Sequence, residues 1–194
     1  MGPLAGIRVL DFTRVVAGPL ATRILADQGA EVIKVEPPEG DLSRTFPPLL
    51  ENEITPYFAQ QNAGKLFCSF DLSHDETPQL VAELATKCDV IVENFRPGVM
   101  AKYGLDYETL SKKNPRLVYC SITGFGQTGP WANRRAYAPI GHLESGLIEY
   151  DERKNDRPAR QPSLVLGDSV TALSAATSIN AMLVQAERRG TGGH

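Results

Sequence analysis

A doubly wound α/β fold, with a mostly parallel sheet and helices on both faces, is the architecture the sequence predicts. Two observations predict it. Short runs dense in Val, Ile and Leu alternate along the chain with segments of helical periodicity, the order that a parallel sheet with crossover helices requires. Glycine and proline collect mainly at the junctions of these segments, where turns need them. The 194 residues, 42% hydrophobic and 22% charged, match an ordinary globular protein and suffice for one continuous core.

Ile7-Arg8-Val9-Leu10-Asp11-Phe12 reads as the first strand. A helix over residues 18–28 follows, with Leu20, Ile24 and Leu25 on one face and Gly29 as its stop. Glu31-Val32-Ile33-Lys34-Val35-Glu36 is the second strand, ended by Pro37-Pro38-Glu39-Gly40, and a strand-helix-strand unit of this kind calls for parallel pairing. An irregular stretch rich in Pro and Asn leads to a third strand over 66–71 and a helix over 76–86, with Leu80, Val81 and Leu84 expected to face inward. Asp89-Val90-Ile91-Val92-Glu93 and Leu117-Val118-Tyr119-Cys120-Ser121-Ile122 supply two more strands. Short helical segments over 99–103 and 107–113 separate them. After a turn-rich segment over 124–139, a helix is expected over 140–147 and an exposed loop over 151–162. A long helix over 168–189 closes the chain, its apolar face set by Ala172, Ala176, Ile179, Leu183 and Ala186.

Several function classes are disfavoured at once. A formal net charge of -3 lacks the basic footprint of a nucleic-acid binder. Cys68, Cys88 and Cys120 are odd in number and widely spaced, which suits neither a disulfide framework nor a zinc site, and a reducing, cytoplasmic home is expected. No apolar run approaches the roughly 20 residues of a membrane span, and the opening Gly2-Pro3-Leu4-Ala5-Gly6 has no signal-peptide character. His74, His142 and His194 form no metal-ligand spacing, so no metal is expected. His142, alone among apolar residues, is expected in a core or surface role.

Four constellations can carry chemistry. Asp11-Phe12-Thr13-Arg14-Val15-Val16-Ala17-Gly18-Pro19 follows the first strand, with Glu36 ending the second. It imitates a dinucleotide site, but the three-glycine pattern is absent and Pro19 removes a donor amide. Ala17-Gly18-Pro19 is either a structural turn or a small-residue floor under a ligand. Glu93-Asn94-Phe95-Arg96-Pro97-Gly98 lies where a parallel strand ends, the usual place for ligands of such sheets. There an amide, an aromatic ring and a guanidinium either grip an adenine nucleotide or form an ordinary loop in which Asn94 caps a helix. The glycine-rich segment 124–130 precedes Arg134, Arg135 and Tyr137, with the arginines set to meet phosphates or solvent. Gly167-Asp168-Ser169 opens the last helix, and Asp168 is either its N-cap or a carboxylate that the helix dipole keeps ionised for nucleophilic work. Seryl hydrolase chemistry lacks its Gly-x-Ser-x-Gly elbow.

In order along the chain, Leu4-Ala5-Gly6-Ile7-Arg8-Val9-Leu10-Asp11, Ala17-Gly18-Pro19, the run from Leu25 to Glu36, Gly40-Asp41, Asn62-Ala63-Gly64-Lys65, Glu93-Asn94-Phe95-Arg96-Pro97-Gly98 and Gly124-Phe125-Gly126-Gln127-Thr128-Gly129-Pro130 resemble the class III CoA-transferase family, also called CaiB/BaiF. That family includes formyl-CoA transferases, carnitine CoA-transferases and related acyl-CoA racemases. The resemblance implies a Rossmann-like large domain that takes coenzyme A or acyl-CoA as substrate and holds no permanent cofactor. It places Arg14, Val15, Val16, Ala17, Pro38, Asn94, Phe95, Arg96, Lys102, Arg135 and Tyr137 at CoA, and makes Asp168 the nucleophile. The implied reaction moves CoA to a small carboxylic acid through an anhydride and an aspartyl-CoA thioester.

A 2-methylacyl-CoA racemase is the nearest alternative within the resemblance, but Tyr137 stands where racemases carry their histidine. Ala138 and His142 replace an acidic residue and a glutamine common among the transferases. Family members run longer, so residues 1–194 are expected to be the N-terminal part of the CoA-binding domain, without the second small domain. Completion by an interlocked homodimer or a complementary C-terminal chain is implied. The remaining alternative is a CoA-binding or assembly fragment without turnover.

Overall fold

The computed structural model of the chain describes residues 2–50, 55–156, 158–162 and 165–194. Five strands, β1 (Arg8–Asp11), β2 (Glu31–Glu36), β3 (Leu66–Ser69), β4 (Val90–Glu93) and β5 (Val118–Ser121), form a sheet in the order β3-β2-β1-β4-β5. All four pairings are parallel, as the strand-helix alternation requires. The chain builds outward from β1 on one side and then on the other, so the switch point lies between β1 and β4.

Alternation along a strand sends successive side chains to opposite faces, and both faces are covered. Val9 packs with Leu25, Val32, Val90, Ala176 and Ile179 on the side of α1 (Ala17–Asp27) and α8 (Leu166–Arg189). Leu10 packs with Phe12, Val81, Ile91, Met100 and Leu105 on the side of α3 (Thr77–Ala85), α4 (Val99–Lys102) and α5 (Tyr107–Leu110). Ala172, Ala176, Ile179 and Ala186 of α8 are buried, and Leu183 is partly so. Gly193 lies parallel beside Val118 and extends the sheet past β5.

Some local expectations need correction. Leu80 is 54% exposed, because α3 turns Val81, Ala82 and Ala85 toward the sheet instead. The irregular stretch after β2 contains a 3-10 turn, Leu42–Thr45, and a helix, α2 (Pro56–Asn62). Thr55 caps α2 by accepting the Phe58 N–H at 2.8 Å, with Pro56 at its first position, an arrangement that presets helix entry. The helix expected over 140–147 is α6 (Ala138–Glu144), stopped before Gly146, whose φ of 73° is left-handed. A further helix, α7 (Leu147–Asn155), takes the first part of the polar stretch expected as a loop. Residues 158–162 do form an irregular, largely exposed segment. Positions 51–54 and 157 of these two stretches lie outside the described residues. Among the described residues no helix is long and apolar enough to cross a membrane, and no group of side chains could hold a metal ion.

Candidate functional site

Four charged side chains, Asp11, Lys34, Asp41 and Lys65, lie almost wholly buried beneath the loop that leaves β1. Lys65 Nζ is 2.9 Å from Asp11 Oδ2, and Lys34 Nζ is 3.3 Å from Asp41 Oδ2. Buried ions survive only when their remaining hydrogen-bonding capacity is also met. Lys65 donates to the Pro19 carbonyl and Asn62 Oδ1, Lys34 donates to the Thr13 carbonyl, and Asp11 accepts from Thr13 and Thr22. Burial alone would raise the Asp11 carboxyl, but Lys65 and Lys34, with the Thr13 and Thr22 hydroxyls, hold it below its ordinary value. Burial draws the Lys65 ammonium down to about 8 against the attraction of Asp11.

This charged base shapes the loop above it. Val15 has a φ of 70°, a region that β-branched residues avoid at a cost of about 1–3 kcal/mol. The Val15 N–H donates to both Asp41 carboxylate oxygens, at 3.3 and 3.2 Å. Its neighbour Arg14 donates its N–H to Asn94 Oδ1 and accepts from Asn94 Nδ2, both at 2.8 Å. Gly18 is required at the start of α1, since a Cβ there would meet the Thr13 Cβ at 2.2 Å. Asn94 therefore caps no helix; it fixes the backbone of Arg14, whose guanidinium lies 5.0 Å from the Phe95 ring centroid.

A cleft of about 510 Å³ opens over this loop at the β1/β4 switch point. Arg14, Val15, Val16, Ala17, Asn94, Phe95 and Arg96 line one wall, and Phe125, Arg134, Arg135 and Tyr137 line the other, with Gly167, Asp168 and Thr171 of α8. The second wall folds back on itself at Gly124, where a Cβ would clash with Ala136 at 2.1 Å. Pro38 and Lys102 do not line this cleft. They are chain neighbours of Pro37 and Tyr103, which line an adjoining cavity of about 260 Å³ that shares Arg14 and Phe95 with the first. Among the described residues Arg14, Arg96 and Arg135 form no ion pair, whereas Arg134 pairs with Glu144 at 3.2 Å. Arg134 also lies over the rings of Phe125 and Trp131.

Asp168 is not the cap of α8. Val165 holds that position and makes no side-chain bond, and Asp168 is the third helical residue. Burial raises its carboxyl from its ordinary value, opposed by its own amide, by His142 when that ring carries a charge, and by the Ala17 amide. Burial thus works against the helix-end amides that favour the ion. His142 is a core residue, 2% exposed. Its Nε2 accepts the Gly167 N–H at 3.0 Å, and its Nδ1 is 2.7 Å from the Gln161 side-chain amide.

This geometry can be set beside known proteins. The family model CoA-transferase family III matches residues 4–194. The chain belongs to CoA-transferase family III. It is 44% identical over 193 residues to a succinyl-CoA:glutarate CoA-transferase of Mus musculus, covering 99% of this chain and 44% of that protein. A succinate–glutarate CoA-transferase of Agrobacterium fabrum is 43% identical, over 99% of this chain and 50% of its own length. A crystal structure of a CAIB/BAIF family protein from Brucella suis superposes with a TM-score of 0.92 at 39% identity, over all of this chain and 52% of that one. The chain thus spans about half the length of the family III relatives it matches.

Sequence reasoning assigned no task to several residues that this family III cleft depends on. Asp41 and Lys65 sit inside strings that resemble the family, but nothing local ties them to Val15 or Asp11. Tyr57 of α2 lies nearby without lining the cleft: burial, then the charges of Asp168 and Asp41, raise its phenol. The Thr55-Pro56 cap was the available signal for α2, and no signal placed Tyr57 near Asp168.

Proposed function

We propose that the cleft binds an acyl-CoA and that Asp168 passes CoA from it to a small carboxylic acid. One observation carries this reading: a carboxylate stands on the wall of the same cleft that is lined by three arginines, Arg14, Arg96 and Arg135, which form no ion pair among the described residues. Phosphates suit unpaired guanidinium groups, and the adjoining cavity beside Pro37, Leu72 and Tyr103 suits the nucleotide end of CoA, with Lys102 and Pro38 at its margin. Named relatives act on succinyl-CoA and glutarate, which favours dicarboxylic acids as the acyl groups exchanged.

In the proposed sequence an Asp168 oxygen attacks the thioester carbonyl, the C–S bond breaks, and a mixed anhydride and CoA thiolate result. The thiolate then attacks the aspartyl carbonyl and releases the donor acid. An incoming carboxylate opens the aspartyl-CoA thioester to a new anhydride, and returning thiolate takes the new acyl group and frees Asp168. Acyl activation is conserved throughout, so no nucleotide triphosphate is consumed. Arg14 to Ala17, held by Asp41 and Asn94, fix one side of the thioester, and the Ala17 amide lies where it can follow charge on the Asp168 oxygens.

Residues 1–194 then form the N-terminal part of a CoA-binding domain, completed by a second domain in the same or a complementary chain and paired as a homodimer. A racemase reading is not favoured, since Tyr137 lines the cleft and both ring nitrogens of His142 are already engaged. Incubating the chain with succinyl-CoA, trapping with borohydride or hydroxylamine, and weighing it intact tests the proposal. A CoA-dependent adduct on Asp168, absent from Asp168→Ala, is expected; no adduct, or one that survives that substitution, overturns it. Because only the ionised carboxylate attacks, the adduct rate should fall as pH drops through the raised Asp168 value.

A further inference from the structure

His142 is buried beside the cleft and takes no part in the steps above. Its surroundings nevertheless bear on Asp168. The first-turn amides of a helix have no intrahelical acceptor, and α8 provides none from its own N-cap, Val165. His142 supplies one from α6, through Nε2 and the Gly167 N–H at 3.0 Å.

The bond dictates where the ring proton is. An imidazole nitrogen that accepts a hydrogen bond carries no proton, so the neutral ring holds its proton on Nδ1. That nitrogen lies 2.7 Å from Gln161 Nε2; a protonated Nδ1 needs an acceptor, so the Gln161 amide, whose two ends are exchanged by a half-turn, turns its oxygen there. The Gly167 amide thus selects the tautomer, the tautomer sets the Gln161 amide, and Gly167 immediately precedes Asp168.

We infer that His142 is a positioning residue: in its Nδ1–H form it caps α8 at Gly167 and holds the Asp168 carboxylate at the cleft wall. The inference rests on Asp168 being the nucleophile. A neutral, hydrogen-bonded ring is suited to this task because it closes the helix end without adding a second ion to a buried site.

Two measurements test it together. Nitrogen-15 spectra of the histidine rings in the unsubstituted chain should show His142 with its proton on Nδ1 and a bare, hydrogen-bonded Nε2. In the succinyl-CoA trapping assay, His142→Ala should slow adduct formation about 10- to 100-fold, as misplacement of a reacting group does, with little change in succinyl-CoA affinity. His142→Gln, whose side-chain oxygen reaches the place of Nε2, should restore the rate to within about threefold of the original. A proton on Nε2, or equal rates for the Ala and Gln variants, would overturn the positioning role while leaving the transfer reading intact. Absence of any adduct on the unsubstituted chain would overturn the transfer reading, and the positioning role with it.

Discussion

The two walls of the cleft are held by opposite means. Beneath Thr13 to Ala17 and Asn94 lie two buried ion pairs, Asp11 with Lys65 and Lys34 with Asp41, tied into backbone carbonyls and hydroxyls. Across the cleft, the segment from Phe125 to Tyr137 is held by Arg134 against aromatic rings and Glu144. Trp131 and Tyr137 there are 53% and 67% exposed, so water competes for the Arg134 contact with Trp131. A buried pair is costly to assemble and more costly to break, whereas an exposed cation–ring contact stabilises by only a fraction as much. The comparison teaches that the first wall is part of the folding core, while the second can be altered locally.

Breaking the first wall should have the largest effect. Lys65→Met leaves Asp11 buried without its nearest cation and should cost about 3–5 kcal/mol in urea unfolding; a loss under 1 kcal/mol would mean the pair contributes little. The same pair sets the acid limit. The folded Asp11 value lies below the ordinary 3.8, so its stabilisation is complete above the unfolded value and is lost as pH falls through the folded one. Acid unfolding of the unsubstituted chain is therefore expected below about pH 4, and Lys65→Met should shift it to higher pH. Asn94→Ala removes both bonds to the Arg14 backbone and should cost about 1–2 kcal/mol, together with weaker CoA binding by calorimetry.

On the second wall the effects shrink or change sign. Burial raises the Asp168 carboxyl in the folded state, so its ionised form opposes folding at neutral pH. Asp168→Asn should abolish adduct formation yet raise the thermal midpoint by about 1–3 °C. Arg134→Ala removes exposed contacts and should change stability by no more than about 1 kcal/mol. Were Arg134→Ala as damaging as Lys65→Met, the contrast between the walls would be false.

The sheet was legible because a strand covered on both faces must be apolar at successive positions, as Val90-Ile91-Val92 are, each fully buried. α7 escaped notice for the converse reason: only Ile148 is buried in it, so its sequence carries polar, loop-like residues on nearly every side. Asp168 was ambiguous from local chemistry, since a cap and a nucleophile use the same residue at the same helix end. The resemblance singled it out, and the cap position is held by Val165 instead. The supports of the site were not legible at all. Lys65 meets Asp11 across 54 positions, and His142 meets Gly167 across 25; no pattern of period 2 or 3.6 records such a meeting.

Asn94 carries a consequence of its own. The last backbone bond from β1 toward β4 among the described residues runs from the Phe12 N–H to the Val92 carbonyl at 2.8 Å. One more rung follows, built from a side-chain amide that meets Arg14 with a donor and an acceptor, as a neighbouring strand would. The sheet thereby ends at the cleft without leaving Arg14's peptide groups stranded, so the rim of the cleft is hydrogen-bonded before anything enters it.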